Sequence, residues 1–200
     1  MPVIRFIAIM ALSALVALAP LPATAASKQR PPTGNGLLVI RPLPPQRTVD
    51  LALYLEPGIE RISTMKASGL PGLALVITPR SGEFLLAVTG KKGNWLRVAY
   101  DDAGREGWLD MPRYWEYTPW DEVLPGQAVR LLAGLKKGYY NLRDQAGDAA
   151  SPRYPLTGKT PLRVVQTKGD WIMVDVNNKT SGWVRWRDSD GRFLISLGAS

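Results

Sequence analysis

A short pattern that occurs twice in the chain limits the possible folds more than any other feature of its sequence. Residues 93–98 read GNWLRV and residues 169–174 read GDWIMV. A polar loop follows each of them, and then residues 107–109 (GWL) or 182–184 (GWV). Such self-similarity is the signature of an architecture that repeats one structural unit. The sequence therefore predicts two divergent copies of one small unit, of which the first is longer.

The repeated unit is predicted to consist of β-strands. Short apolar runs are separated by turn residues, and the 200 residues include 17 prolines and 19 glycines, which favour turns between short strands. Residues 79–82 (PRSG) lie between two apolar runs, so residues 74–88 are predicted to form a hairpin. Little of the sequence has the period of a helix, and the predicted fold class is all-β.

Alternation within the repeated strands assigns one face to the core. Successive side chains of a strand point to opposite faces of the sheet. Leu96 and Val98 share a face in the first copy, as do Ile172 and Val174 in the second, and these aliphatic faces are the natural core. The strands that return after each polar loop follow the same rule. The tryptophans are therefore expected to point away from the core, on the more exposed side: Trp95 and Trp108, then Trp171 and Trp183.

The ordered motifs of the second copy resemble those of a bacterial Src homology 3 (SH3) domain. YNLR at 140–143, GKTPL at 158–162 and GDW at 169–171 come before the GWV motif, in the order seen in that family. The first copy keeps GNWLRV and then GREGW at 104–108, after a longer and freer early part. Together the copies cover about residues 37–187. The resemblance implies two small SH3-like five-stranded half-open barrels in tandem.

Aromatic side chains line the ligand groove in the family that the chain resembles. Paired exposed rings also form a rigid apolar platform for sugars, peptides or proline rings. Tyr114 is a further candidate, one residue away from the spacing of a late groove tyrosine. The alternative is that the tryptophan pairs close an interface between the two copies, because interfaces and grooves share a composition. Carried over position by position, the resemblance implies a ligand-binding set of Tyr54, Trp95 and Trp108 in the first copy and Tyr140, Trp171 and Trp183 in the second.

The first segment is predicted to be an export signal. Arg5 precedes an apolar run from Phe6 to Ala19, and the segment ends in the sequence ATA at 23–25, which is typical of a secretory signal peptide. The run is short for a membrane span, which needs about 20 residues, and an uncleaved anchor is the alternative. Residues 1–25 are thus predicted to be removed near Ala25, which makes the protein periplasmic or secreted, with no stable membrane span after cleavage.

Four segments are predicted after the signal peptide: a flexible leader at 26–36, an SH3-like domain at 37–112, an aromatic connector at 113–123 and a second SH3-like domain at 124–200. Residues 114–120 of the connector read YWEYTPW, and leaving four rings of seven residues in water would be costly. The connector is therefore expected to hold the two domains together. The alternative is a binding ledge at the boundary between them.

The C-terminal half carries most of the positive charge. Residues 124–200 contain 12 basic and 6 acidic residues, whereas residues 37–112 contain 9 and 8. An exported protein with a cationic half is expected to meet acidic partners, and we predict that it binds peptidoglycan or a cell-wall peptide as a monomer. Nucleic acid is not an expected partner outside the cell. The alternative is an adaptor that binds an exported protein partner through the connector rings and exposed strand edges.

An enzymatic function is not expected from this composition. The chain contains no histidine and no cysteine, which excludes a Ser-His-Asp triad, a Cys-His dyad and metal sites built from imidazole or thiolate. No cofactor or metal is expected. Asp101, Asp102 and Glu106 cluster, but on a hairpin loop where acids are ordinary turn residues. A small hydrolase that uses carboxylates is the remote alternative to a non-catalytic binding module.

Overall fold

Two antiparallel sheets of seven strands each make up most of the molecule. The structure is a computed structural model that describes residues 30–43 and 48–198. The strands of the first sheet are β1 (Gly36–Ile40), β2 (Asp50–Glu56), β3 (Ile59–Lys66), β4 (Phe84–Lys92), β5 (Trp95–Ala99), β6 (Glu106–Asp110) and β7 (Glu116–Pro119). The strands of the second sheet are β8 (Ala128–Leu131), β9 (Asn141–Arg143), β10 (Pro152–Pro155), β11 (Leu162–Lys168), β12 (Trp171–Val176), β13 (Thr180–Arg185) and β14 (Ile195–Leu197). The all-β fold class is confirmed.

Helical structure in the described residues is limited to single turns. A four-residue helix, α1 (Trp120–Val123), connects the sheets, and 3₁₀ turns lie at Ala67–Gly69 and Lys137–Tyr139. No helix in the described part of the chain is long and apolar enough to cross a membrane. The predicted signal peptide, residues 1–25, lies outside the described residues.

The two sheets have the same strand order. Neighbouring strands run β3-β2-β6-β5-β4-β1-β7 in the first sheet and β10-β9-β13-β12-β11-β8-β14 in the second. If the strands of each sheet are renumbered from one in chain order, both sheets have the order 3-2-6-5-4-1-7. Each sheet has seven strands where the sequence indicated five. The additional strands escape sequence reasoning because several are edge strands without apolar alternation, such as β3 and β10, which are exposed along nearly their whole length.

The predicted core faces are buried in both sheets. Leu96 and Val98 of β5 are fully buried, and so are Ile172 and Val174 of β12. The strict alternation of apolar residues on these central strands sets the register of the sheet, because a slip of one residue would turn the whole apolar face to solvent.

The predicted hairpin at 74–88 is wrong. Leu73 to Ile77 form a helical turn, in which the N–H groups of Val76 and Ile77 both donate to the carbonyl oxygen of Leu73. β4 already pairs with β1 on one side and β5 on the other, so neither of its edges is open to residues 74–78. Instead, the turn packs against the second sheet, where the N–H of Leu197 donates to the carbonyl of Val76 over 2.7 Å.

One hydrophobic cluster spans both halves of the molecule. It joins Leu73, Val76, Leu85 and Ala87 of the first half to the core of the second. The connector contributes at both ends, since Trp115 belongs to the core of the first half and Trp120 to the shared cluster. Trp120 packs edge-on against Phe193, with ring centroids 5.2 Å apart. Two of the four connector rings, Trp115 and Trp120, are therefore buried, whereas Tyr114 is 49% exposed.

Residues 30–33 cross over to the C-terminal half before the chain enters β1. The Arg30 guanidinium pairs with Asp188 at 2.6 Å, and the N–H of Thr33 donates to the carbonyl of Gly191 at 2.7 Å. Arg192 in turn donates to the carbonyl of Arg30. The predicted flexible leader, residues 26–36, is thus held in place from Arg30 onward because its backbone groups find partners on the other half. Residues 26–29 lie outside the described residues.

Candidate functional site

The tryptophans that begin β5 and β12 occupy equivalent positions but face different neighbours. Trp95 starts β5 and pairs across the sheet with Asp110 of β6. Trp171 starts β12 and pairs with Arg185 of β13. Directly opposed residues of an antiparallel pair lie on the same face, with their Cβ atoms about 5 Å apart. The same strand arrangement therefore places a carboxylate beside one tryptophan and a guanidinium beside the other.

A second pair of equivalent positions differs in the same sense. Trp108 of β6 is paired with Tyr54 of β2, and Trp183 of β13 is paired with Arg143 of β9. Tyr54 and Arg143 therefore correspond to one another. An aromatic ring in the N-terminal half stands where the C-terminal half has a cation.

The N-terminal half contains a groove of about 770 Å³, which we call the N-terminal groove. Tyr54 meets Trp95 edge-on, with ring centroids 5.2 Å apart, and Tyr114 and Trp115 of the connector add two further rings. Tyr54, Trp95 and the further candidate Tyr114 are thus brought together in one groove. The other described residues that line the N-terminal groove are Leu43, Thr48, Val49, Asp50, Leu51, Ala52, Gly58, Leu109, Asp110 and Pro112.

Two acidic residues of the N-terminal groove were not singled out by sequence reasoning. Asp50 opens β2 and Asp110 closes β6, and both side chains are exposed. Neither carboxylate forms an ion pair with any residue that the structure describes. Alternation along the strands could have indicated both residues. It places Asp50 on the same face of β2 as Tyr54, and Asp110 on the same face of β6 as Trp108.

Trp108 does not line the N-terminal groove, although it lies outside the aliphatic core as expected. Lys92 and Arg97 lie over its ring, at 5.1 and 5.6 Å from the centroid. These cations leave Trp108 only 5% exposed. The expectation of an exposed ring is therefore wrong for Trp108, because long basic side chains cover the outer face of the sheet.

The C-terminal half contains a smaller groove of about 240 Å³, which we call the C-terminal groove. The guanidinium groups of Arg143 and Arg185 lie 5.7 and 5.5 Å from the centroid of the Trp171 ring. They leave Trp171 8% exposed, so the expectation of an exposed ring is wrong here too. Arg185 also pairs with Asp148 at 3.3 Å. The groove is lined by Lys136, Gly138, Tyr139, Asn141, Arg143, Asp148, Trp171 and Arg185.

Tyr140 and Trp183 are not part of the C-terminal groove. The hydroxyl of Tyr140 donates to the carbonyl of Leu132, and its ring packs against the hydrophobic core. Tyr140 borders a different, shallow recess with Pro155 and Thr157. Trp183 is half-buried opposite Met173. Tyr140 lies outside the groove because Leu142 is buried, which turns Asn141 and Arg143 outward and Tyr140 inward. Tyr139 is the tyrosine that lines the groove.

The alternative role of the tryptophan pairs, closing the interface between the halves, is not what the structure shows. None of these four residues belongs to the hydrophobic cluster that joins the two halves. That cluster uses Trp120 and Trp186 instead, with ring centroids 5.9 Å apart.

Two of the three acids predicted to cluster at the hairpin loop are engaged in ion pairs. Asp101 pairs with Arg105, and Glu106 lies 3.1 Å from Arg97. Hydrogen bonding from the backbone and side chain of Arg105 holds the pKa of Asp101 below its ordinary value. Such an acid stays ionised at neutral pH and is poorly suited to donate a proton. Within the described residues, no cluster of three or more acidic groups could hold a metal ion.

Comparison with known proteins identifies part of the chain. Residues 136–191 match the family model described as a bacterial SH3 domain. The match includes every residue that lines the C-terminal groove. Domains of this family are generally non-catalytic binding modules. No curated protein matches the chain.

Proposed function

We propose that this protein is an exported, non-catalytic binding module that recognises peptidoglycan or a cell-wall peptide. The observation that carries the proposal is the C-terminal groove, in which Trp171 lies beneath Arg143 and Arg185 within the SH3-matched segment. The common strand order of the two sheets supports a second SH3-like domain in the N-terminal half. The signal-like first 25 residues support export.

The chemistry of the C-terminal groove fits an anionic peptide. Lys136, Arg143 and Arg185 contribute three cations to its lining. Arg185 is paired with Asp148 at 3.3 Å and Asp170 at 3.6 Å, which leaves Lys136 and Arg143 as the cations without an ion pair among the described residues. Planar guanidinium groups bind carboxylates with two parallel hydrogen bonds, and wall peptides carry free carboxylates. The excess of basic over acidic residues in 124–200 steers such a polymer toward the groove.

An adaptor function is the second candidate, and one exposed edge favours it. β3 is the outer strand of the first sheet, and Ile59 on it is 67% exposed. The neighbouring Leu55 of β2 is 56% exposed. An open strand edge with apolar side chains can pair with a strand of another protein.

Sedimentation with purified peptidoglycan sacculi tests the proposed function. The protein beginning at Ala26, which retains every described residue, is incubated with sacculi at low and at high salt. We expect pelleting that weakens as salt rises, because charge-steered binding is screened. Pelleting is expected to fall several-fold in Lys136→Gln, whose exposed side chain can change without disturbing the core.

Lys179→Gln is the matched control. It removes the same charge from the exposed turn between β12 and β13, away from the groove lining. Equal losses in Lys136→Gln and Lys179→Gln would indicate attraction by net charge alone and not groove binding. Absence of pelleting at any salt would overturn wall binding and leave the adaptor as the function to test.

A further inference from the structure

We propose that the N-terminal groove binds a basic peptide segment of a partner protein, with a Lys or Arg side chain held against Trp95 and between the carboxylates of Asp50 and Asp110. This site lies outside the segment that matches the SH3 family model, and its ligand is opposite in charge to the one proposed for the C-terminal groove. It therefore goes beyond the proposed wall-binding function.

The first step of the argument is the inverted charge at equivalent positions. Asp110 faces Trp95 where Arg185 faces Trp171, and Tyr54 replaces Arg143. In the C-terminal half, the chain itself supplies the cations that lie over the tryptophan. The N-terminal half presents the same tryptophan position with an aromatic ring and a carboxylate, the two kinds of group that attract an external cation.

The second step concerns the carboxylates, which are unneutralised by the described residues. The described lining of the groove contains Asp50 and Asp110 and neither lysine nor arginine. Two nearby cations are engaged elsewhere, since Lys92 lies 3.1 Å from Glu56 and Arg97 lies 3.1 Å from Glu106. A cationic ligand would thus gain two carboxylate contacts without displacing either of these ion pairs.

The third step is the size and character of the groove, which fit a peptide. Its volume of about 770 Å³ falls in the range of about 300–1,000 Å³ that is usual for ligand pockets. Its accessible surface is more polar than apolar, and the rings of Tyr54, Trp95 and Tyr114 would take the apolar neighbours of a basic residue. Trp115 lines the groove as a largely buried wall, with 7% of the residue exposed.

Three matched peptides test the proposal. Each is a short acetylated and amidated peptide with a central lysine, norleucine or glutamate between two leucines, and binding is followed through the indole N–H signals of Trp95 and Trp115 in NMR titrations. We expect the lysine peptide to bind at least about five times more tightly than the norleucine peptide. We also expect it to be the only peptide whose affinity falls strongly as the salt concentration rises. The glutamate peptide is expected to bind most weakly.

Substitutions locate the binding in the groove. Asp110→Asn is expected to weaken the lysine peptide about fivefold, and Asp110→Arg, which reproduces the arrangement of the C-terminal half, is expected to reverse the preference toward glutamate. Asp102→Asn is the matched control, because it removes an equal charge from an exposed loop outside the groove. Both Asp110 variants keep an exposed polar residue at a strand end, and circular dichroism checks their fold.

Three results would overturn the proposal: no binding of the lysine peptide, equal affinity for lysine and norleucine peptides, or unchanged affinity in Asp110→Asn. Preferential binding of soluble wall fragments to the N-terminal groove would overturn it as well. The sacculus assay reads the C-terminal groove independently, so failure of the proposed function and failure of this inference are distinguishable.

Discussion

Gly182 lies so close to Leu142 that a Cβ added to the glycine would stand 2.6 Å from Cγ of that leucine and 2.7 Å from the carbonyl oxygen of Arg143. Gly107 holds the equivalent position in the first sheet, where the nearest atom to an added Cβ would be Cβ of Leu53 at 3.4 Å. The second sheet is therefore packed more tightly against its neighbours than the first at this equivalent position.

We predict that Gly182→Ala destabilises the protein by about 2 kcal/mol, a typical cost of overpacking, whereas Gly107→Ala changes stability much less. The methyl group at 182 would have to displace backbone, while the one at 107 meets ordinary van der Waals contacts. Urea unfolding followed by tryptophan fluorescence measures both values. Similar losses of stability in the two variants would contradict the difference in packing around Gly182 and Gly107.

We predict that Trp120→Ala lowers the free energy of unfolding by about 3–5 kcal/mol, the usual cost of removing a large buried aromatic side chain. Trp120 is 4% exposed, and its indole N–H donates to the carbonyl of Thr33 at 2.7 Å. Because it lies in the cluster shared by both halves, the loss is expected to separate one unfolding transition into two. Tyr154→Ala, at an exposed position, is the control. A single unshifted transition in Trp120→Ala would show that the halves do not depend on this contact.

We predict that Asp188→Asn removes a contribution to stability that depends on pH. Burial alone would raise the pKa of Asp188, but hydrogen bonds from the backbone of Arg192 and from Arg30 outweigh burial and hold this pKa below its ordinary value. A carboxylate with a lowered folded-state pKa stabilises the protein above the unfolded value of about 3.9, and this stabilisation is lost as the pH falls through the folded value.

The variant is accordingly expected to be less stable than the parent by about 1 kcal/mol at neutral pH, since Arg30 is partly exposed and the pair is screened. The difference should shrink below about pH 4. Thermal unfolding across pH measures it. A difference that stays constant down to pH 3 would mean that the charge of Asp188 is not responsible.

We predict that Trp171→Ala abolishes most sacculus binding and that Trp183→Ala leaves it within about twofold. Trp171 lines the C-terminal groove under two guanidinium groups, whereas Trp183 lines none of the grooves described above. Circular dichroism checks both folds, and pelleting measures binding. A larger loss in Trp183→Ala would place the binding surface further along the same face of β13, beside Trp183.

Sequence reasoning succeeded where a period of two residues decided the structure. Alternation placed Leu96 and Ile172 in the cores and Trp95 and Trp171 outside them. It could not anticipate that Arg143 and Arg185 cover Trp171, because cation–π contacts depend on which strands become neighbours. β3 was missed because an edge strand exposed on both faces has no apolar alternation.

Local sequence patterns also could not predict which distant residues line the same groove. Asp50 and Asp110 are 60 positions apart in the sequence, and they share a groove only because β2 lies beside β6. The turn at Leu73–Ile77 has the composition of a strand, but its apolar residues serve the other half of the molecule. Such pairings follow from tertiary contacts, which override local preference.

The contacts of Arg30 set the order in which the molecule can be completed. A chain emerges N-terminus first from the ribosome and, under the proposed export, also from the translocation channel. Arg30 binds Asp188 and Phe193, 158 and 163 positions later, so its partners do not exist until synthesis is nearly finished. Contacts between such distant positions also form slowly. A product truncated before Asp188 therefore lacks both partners of Arg30. Its N-terminal residues cannot make these contacts, so only the finished chain can hold them in place.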